Sequence, residues 1–152
     1  MRWVLFAALV TACGASNKPV ATDQAFDCRD RSVSYLASHT MAGPEVGVQM
    51  DCKEHGPRIL TWRTDASGKR TEKSRAISTD LFDKIWNQID ATGWPNMQDC
   101  TGSGKNDDPV YQFMVADDQN HASFSCQARD MPYPYNDISD PLQLAASSGG
   151  QQ

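Results

Sequence analysis

One pair of alternating segments, residues 111–116 and 122–126, constrains the fold of this chain more than any other feature. In both segments apolar residues recur at every second position, and the residues between the segments are polar. A two-residue period predicts strands, and the polar stretch predicts the turn that joins them. The register that places the recurring residues on one face pairs Val115 with Ala122, Phe113 with Phe124 and Tyr111 with Cys126. Because a slip of one residue would reverse the face, the sequence predicts a hairpin of defined register.

The chain begins with a short apolar segment that resembles a secretory signal peptide. Arg2 is followed by an apolar run over residues 3–10. A bilayer-spanning helix needs about 20 residues, so this run is too short to cross a membrane. It does fit the apolar region of a signal peptide. We therefore expect residues 1–12 to direct export and to be removed from the mature protein.

The end of this segment, Val10-Thr11-Ala12-Cys13, resembles the lipobox of bacterial lipoproteins, in which an apolar residue and two small residues precede a cysteine. The resemblance implies that Cys13 is acylated on sulfur and becomes the mature N-terminus. Several acyl chains would anchor the protein stably to a membrane. In the familiar sorting pattern of bacterial lipoproteins, aspartate after the cysteine indicates the inner membrane. This chain has Gly14 at that position, so the resemblance favours the outer membrane of the bacterial envelope. The alternative is an ordinary free cysteine after an apolar start.

The rest of the chain divides into a tether, one domain and a tail. Residues 13–25 would form the lipidated N-terminus and a flexible tether, because residues 14–25 are small, polar or proline and have no apolar period. Residues 26–146 hold all the periodic segments and match the usual size of one domain. Residues 147–152 (SSGGQQ) have no apolar side chains that could be buried in a core. We expect this tail to be disordered.

Four more segments of the domain have the composition of strands. Residues 31–38 and 46–52 flank a turn-rich stretch and predict one hairpin. Residues 58–64 and 69–77 predict a second hairpin through the turn at 65–68, with Leu60 and Trp62 on one face of its first strand. The returning strand carries basic residues among neutral or acidic ones: Lys69, Arg70, Lys73 and Arg75. A basic binding stripe is one interpretation, but a solvated edge strand is the commoner structure.

Two helices complete the prediction. Ser78 or Thr79 is a suitable N-cap for a helix that runs to about Thr92, and Gly93 and Pro95 follow it as stop signals. Its apolar face predicts packing on a sheet: Leu81, Phe82, Ile85, Trp86 and Ile89. A short C-terminal helix over 136–146 would be interrupted or restarted at Pro141. We predict an α+β fold, in which an antiparallel sheet of about five or six strands carries both helices on one face.

The cysteines of the domain predict two disulfides. An even number of cysteines in an exported chain is typical of a disulfide framework, and the four are Cys28, Cys52, Cys100 and Cys126. Three pairings are possible. The first hairpin would place Cys28 opposite Cys52 at its open end. The loop over 97–109 would bring Cys100 to Cys126 at the open end of the last hairpin. Strand geometry therefore favours these two bonds and leaves the other pairings open.

A distant resemblance covers roughly residues 58–146. The helix that ends in Gly93-Trp94, the loop with Asp107-Asp108 that leads into Tyr111-Gln112-Phe113, the tight hairpin and the proline-led final helix are similar to emfourin-like small protease inhibitors. The resemblance implies a small secreted α+β protein and a possible role as an extracytoplasmic protease inhibitor. This chain differs in its four domain cysteines and lipid anchor, and it has no recognisable inhibitory segment.

No residue pattern indicates catalysis, a cofactor or a metal. The histidines lack paired metal spacing, the cysteines form no CxxC, and residues 102–105 (GSGK) lack the full phosphate-loop pattern. A calcium site is an alternative for the acidic pairs Asp107-Asp108 and Asp117-Asp118, but neither pair fits the EF-hand pattern. The net charge of -5 disfavours nucleic acid as a partner. We predict a protein that is not an enzyme and needs no cofactor.

The remaining function class is a binding or structural module. It would be held at a membrane by its lipid and would contact an envelope or extracellular protein. Tyr133 lies between two prolines and Tyr135 follows the second of them, in a segment predicted to be an extended covering loop, 131–135. Aromatic residues held in this way lose little entropy on binding, so this loop is a candidate partner site. The alternative is that the loop is a lid over the core.

Overall fold

The computed structural model describes residues 28, 30–38, 44–53, 55–100, 105 and 107–148. These residues form six strands, two α-helices and one short 3-10 helix. The elements are β1 (Ser32–Ser38), β2 (Glu45–Lys53), β3 (Gly56–Thr64), β4 (Arg70–Ala76), α1 (Thr79–Asp90), a 3-10 turn (Trp94–Asn96), β5 (Val110–Ala116), β6 (His121–Gln127) and α2 (Asn136–Ser147). The predicted signal peptide, Cys13, the tether and most of the tail lie outside the described residues.

The six strands form one antiparallel sheet in the order β4-β3-β2-β1-β5-β6. The register of the last hairpin agrees with the alternation in the sequence, since Phe113 pairs with Phe124 and Tyr111 with Cys126. Strand β1 lies at the centre between β2 and β5. The predicted α+β class, with an antiparallel sheet and helices on one face, is therefore confirmed.

Helix α1 begins where its sequence predicts. The Ser78 hydroxyl accepts a hydrogen bond from the Leu81 N–H at 3.2 Å, which satisfies one of the free amides of the first turn. The helix ends at Asp90, and Gly93 then adopts a positive φ of 71°, which favours glycine. Its apolar face is buried, and Trp86 in particular is a core residue. This face covers one side of the sheet together with α2.

Helix α2 differs from its prediction, because it runs without a break from Asn136 through Pro141 to Ser147. A proline inside a helix removes one hydrogen bond and costs about 3 kcal/mol. Ile138 and Leu142, on the two sides of the proline, are both fully buried in the common core. Burying two such side chains stabilises by a comparable amount or more, so packing outweighs the local penalty.

The segment before α2 also differs from its prediction. It forms a turn over residues 133–135 rather than an extended loop, with a cis peptide bond between Tyr133 and Pro134. The Asn136 N–H donates to the Pro132 carbonyl at 3.1 Å and closes this turn. The chain therefore bends directly into the helix that follows.

Both disulfides are formed as predicted. Cys28 bonds to Cys52 with a Cα–Cα distance of 5.6 Å, and Cys100 bonds to Cys126 with a Cα–Cα distance of 4.8 Å. Cys28, Cys52 and Cys126 are buried. The two bonds join the segment before β1 and the segment before β5 to the sheet. Each bond therefore belongs to the core as well as to the covalent framework.

Candidate binding surface

The sheet has one covered face and one open face. Both helices pack on the face that carries Val33, Met50, Ile59, Phe113 and Phe124. Within the described residues no helix covers the other face. Because side chains alternate along a strand, the open face follows from the strand registers and consists of Ser34, Leu36, Gly47, Gln49, Leu60, Trp62, Gln112, Met114, Ser123 and Ser125.

Trp62 lies flat against the backbone of the neighbouring strand. A Cβ atom at Gly47 would approach Cε2 and Cζ2 of Trp62 to 2.0 Å, so only glycine leaves room for the indole. The guanidinium of Arg70 lies over the same indole, 4.8 Å from the ring centroid, and its Nε donates to the Glu72 carboxylate at 2.6 Å. The contacts with Gly47 and Arg70 hold the tryptophan in place, and the cation–π interaction between the guanidinium and the indole adds to the stabilisation.

A groove of about 610 Å³ crosses the open face. Trp62 and Arg70 line it at one side, residues of the central strands β2 and β1 line the middle, and Met114 on β5 and Asp99 beside β6 line the other side. Met114 is 63% exposed, which is unusual for a large apolar side chain in the middle of a sheet. Arg70 and Asp99 are the charged residues of the groove lining, so the surface between them is neutral, with amide, hydroxyl and apolar groups.

The sequence prediction for the open face was incomplete. It placed Leu60 and Trp62 on one face, which the registers confirm, but it did not show that this is the open face. A signal was present in Gly47, which stands between two valines inside a strand. Glycine in such a position often marks the close approach of another group. Met114 had no comparable signal, because its exposure depends on which face the helices cover.

The two tyrosines of the predicted partner loop have different surroundings. The Tyr135 hydroxyl donates to the Gln98 carbonyl at 2.6 Å, and its ring packs 5.9 Å from that of Phe124 and 6.2 Å from that of Phe113. Burial raises the pKa of this tyrosine. Tyr133 is 74% exposed. Tyr135 thus acts as the lid that the alternative interpretation expected, and only Tyr133 offers a free aromatic surface.

The acidic residues of the turns accept local hydrogen bonds. Asp117 accepts the N–H groups of Gln119 at 2.8 Å and Asn120 at 2.6 Å, and Asp108 accepts the Lys105 N–H at 3.0 Å. The Arg129 guanidinium also lies 3.5 Å from the Asp108 carboxylate. In the part of the chain that the structure describes, no three His, Cys, Asp or Glu side chains converge on a common point. These carboxylates therefore have structural partners in the turns themselves.

The described histidines are both on the surface. His55 and His121 are exposed, and neither belongs to a group of three or more His, Cys, Asp and Glu side chains within the described residues. His39 lies outside the described residues. His121 is the first residue of β6 and shares the open face with Ser123 and Ser125, but it does not line the groove.

Comparison with known proteins does not assign this chain to a family. No protein-family model matches the chain, and no curated protein is significantly similar to it. In addition, none of the helices in the described ranges has the length and apolar character needed to cross a membrane. The function of the protein is therefore inferred from its sequence and from the geometry of its sheet.

Proposed function

We propose that this protein is a lipid-anchored, non-catalytic binding module of the bacterial cell envelope, and that the open face of its sheet binds an envelope protein. The observation that carries the proposal is the composition of that face. Protein interfaces are enriched in Trp, Met and Arg and depleted in Lys and Glu at their centre. The groove has Trp62, Met114 and Arg70 among neutral amides and hydroxyls.

The rigidity of the surface also supports a protein partner. Trp62 is fixed between Gly47 and Arg70, and a side chain that is already ordered loses little entropy on binding. The predicted lipid on Cys13 would keep the domain near the membrane, where a tethered partner meets it at a high effective concentration. Modest affinity is then sufficient for a stable complex.

Site-specific photocrosslinking in the native host tests this function. A photoreactive amino acid is placed at position 114 on the open face and, as a control, at position 144 on α2, where Leu144 is 71% exposed. We expect one envelope protein to crosslink at position 114 and not at position 144. Trp62→Ala should reduce the yield, and Cys13→Ala should abolish it by releasing the protein from the membrane.

Three results would contradict or redirect the proposal. Equal crosslinking at both positions, or none at position 114, would rule out the open face as the interface. An intact mass without acylation at Cys13 would remove the membrane anchor. If the crosslinked partner is a secreted protease that loses activity in the complex, the protein is an extracytoplasmic inhibitor, as the emfourin resemblance implies.

A further inference from the structure

The outer edge of β4 has unpaired backbone groups. On the inner side, the Ile77 N–H donates to the Pro57 carbonyl at 3.1 Å, and the Asp65 N–H donates to the Lys69 carbonyl at 3.0 Å. The odd-numbered residues of β4 therefore face β3. Because the pairing alternates, the N–H and C=O groups of the even-numbered residues point outward, at Arg70, Glu72, Ser74 and Ala76. Within the described ranges no backbone hydrogen bond reaches these four residues.

The side chains along this edge are basic, in contrast to the rest of the molecule. Lys69, Arg70, Lys73 and Arg75 lie in or beside β4 and face one acidic residue, Glu72, whereas the whole chain has a net charge of -5. Every residue of β4 except Arg75 is exposed. A strip of positive charge on an otherwise acidic protein attracts negatively charged partners to that strip.

On the side of the helices, Lys73 stands between two cavities. One, of about 430 Å³, lies between β4 and the end of α2 and is lined by Ile59, Arg75 and Ala146. The other, of about 520 Å³, lies at the β3–β4 hairpin and is lined by Val46, Arg63 and Lys69. Arg75 already donates to the Ala145 carbonyl. Asp65 also lines the second cavity. Every second side chain of an added strand would lie on this side of the sheet, beside Lys73.

A second copy of the chain is a poor occupant of the same edge. Two β4 strands that paired in antiparallel fashion about a two-fold axis at Lys73 would place the two Lys73 side chains opposite one another. Like charges directly opposite across a strand pair are destabilising. Charge complementarity therefore selects an acidic strand rather than another β4.

We propose that the β4 edge binds an extended acidic peptide segment of a partner protein, which adds to the sheet as a seventh strand. The N–H and C=O groups of Arg70, Glu72, Ser74 and Ala76 bond to the backbone of the segment, as in other complexes formed by strand addition. Carboxylates at alternate positions of the segment pair with Lys73 and its basic neighbours. Arg70 belongs to both surfaces, because its side chain lines the groove of the open face while its outward backbone groups lie on the edge. Glu72, Ser74 and Ala76 do not line the groove, so binding at the two surfaces can be tested separately.

Amide hydrogen exchange on the full chain, held in nonionic detergent, tests the proposal with a defined probe. The probe is a capped octapeptide of alternating threonine and glutamate. We expect it to slow exchange at Arg70, Glu72, Ser74 and Ala76, with weaker binding at higher salt because exposed charges are screened. Peptides with lysine in place of glutamate, or with N-methylated amides at alternate positions, should not bind.

The decisive variant is Glu72→Pro, because the N–H it removes points away from β3 and the native ladder is retained. It should weaken binding by about fivefold or more through the lost hydrogen bond, although it makes the edge more positive. Leu144→Ala on α2, where the side chain is 71% exposed and lines neither surface, is the control and should bind normally. If the glutamate peptide leaves exchange unchanged at millimolar concentration, or if the lysine or N-methylated peptide binds equally well, strand addition by an acidic segment is excluded.

Discussion

The two edges of the sheet are protected in different ways. At β6, the Asp99 carboxylate accepts the Ser125 N–H at 2.6 Å and the Cys100 N–H donates to the Ser125 carbonyl at 2.8 Å, so a covering segment occupies the outward backbone groups of Ser125. The disulfide of Cys100 to Cys126 holds this segment in place. At β4, charged side chains alone discourage pairing. A covered edge is closed to every partner, whereas a charged edge excludes only partners of the wrong charge.

The turns of the two outer hairpins, in contrast, use the same device. Asp65 accepts the N–H groups of Ser67 and Lys69, and Asp117 accepts those of Gln119 and Asn120. The difference between the hairpins is therefore not in their turns but in what packs against their strands. The predictions below test this contrast, beginning with the largest expected effect.

The core beneath the β5–β6 half should be the most sensitive region. Phe113 is fully buried and stacks on Phe124, with ring centroids 5.3 Å apart. Phe113→Ala should lower the free energy of unfolding by about 3 to 5 kcal/mol, because it removes apolar contacts and leaves a cavity. Met114→Ala, at the next residue on the open face, should change it by less than about 0.5 kcal/mol. Urea unfolding measures both, and equal effects would show that the two faces are not distinct.

Removal of the disulfide at the covered edge should have the next largest effect. The pairs Cys28–Cys52 and Cys100–Cys126 have sequence separations of 24 and 26, so loop entropy predicts about 3.5 kcal/mol for each. Replacing Cys100 and Cys126 by serine should in addition speed amide exchange at Ser125, whose bonds depend on the covering segment. Replacing Cys28 and Cys52 should leave Ser125 protected. Equal exchange at Ser125 in both double variants would mean that the disulfide does not hold the cover.

The turn carboxylates should give the smallest effect, and it should depend on pH. The Ser67 hydroxyl, together with backbone amides, lowers the pKa of Asp65. Burial alone would raise the pKa of Asp117, but hydrogen bonds from Gln119 and Asn120 lower it overall. A lowered folded-state pKa stabilises the protein at pH values above the ordinary carboxyl pKa of about 3.9, and this contribution is lost as the pH falls through the folded-state pKa.

Asp117→Ala should therefore destabilise the protein by about 0.5 kcal/mol at pH 7, because the bonds are exposed. The unfolding curves of the variant and the parent should converge as the pH falls below about 4. Asp65→Ala should follow the same trend in the other hairpin. A difference from the parent that is constant between pH 7 and pH 3 would show that these carboxylates act through backbone conformation rather than through their charge.

Much of the local structure could be predicted from the sequence. The alternation of residues 111–116 and 122–126 determined the hairpin register, and the positions of the cysteines relative to the hairpin ends favoured the two disulfides that are formed. Ser78 and Gly93 marked the limits of the main helix within a few residues. These features depend on hydrogen bonds and side-chain periods that span a short stretch of chain.

Only the tertiary structure decided that β1 lies between β2 and β5, and that the open face carries the contact of Trp62 with Gly47. It also decided that Tyr135 packs on Phe124 and that α2 continues through Pro141. Each depends on which distant segments pack together. The alternation of a strand predicts that one of its faces is buried, but it does not predict which strand lies beside it. The cost of a proline in a helix is local, whereas the packing that offsets this cost comes from distant parts of the chain. The sequence by itself therefore determined the elements and their covalent links, and long-range packing decided which surfaces remain free to bind.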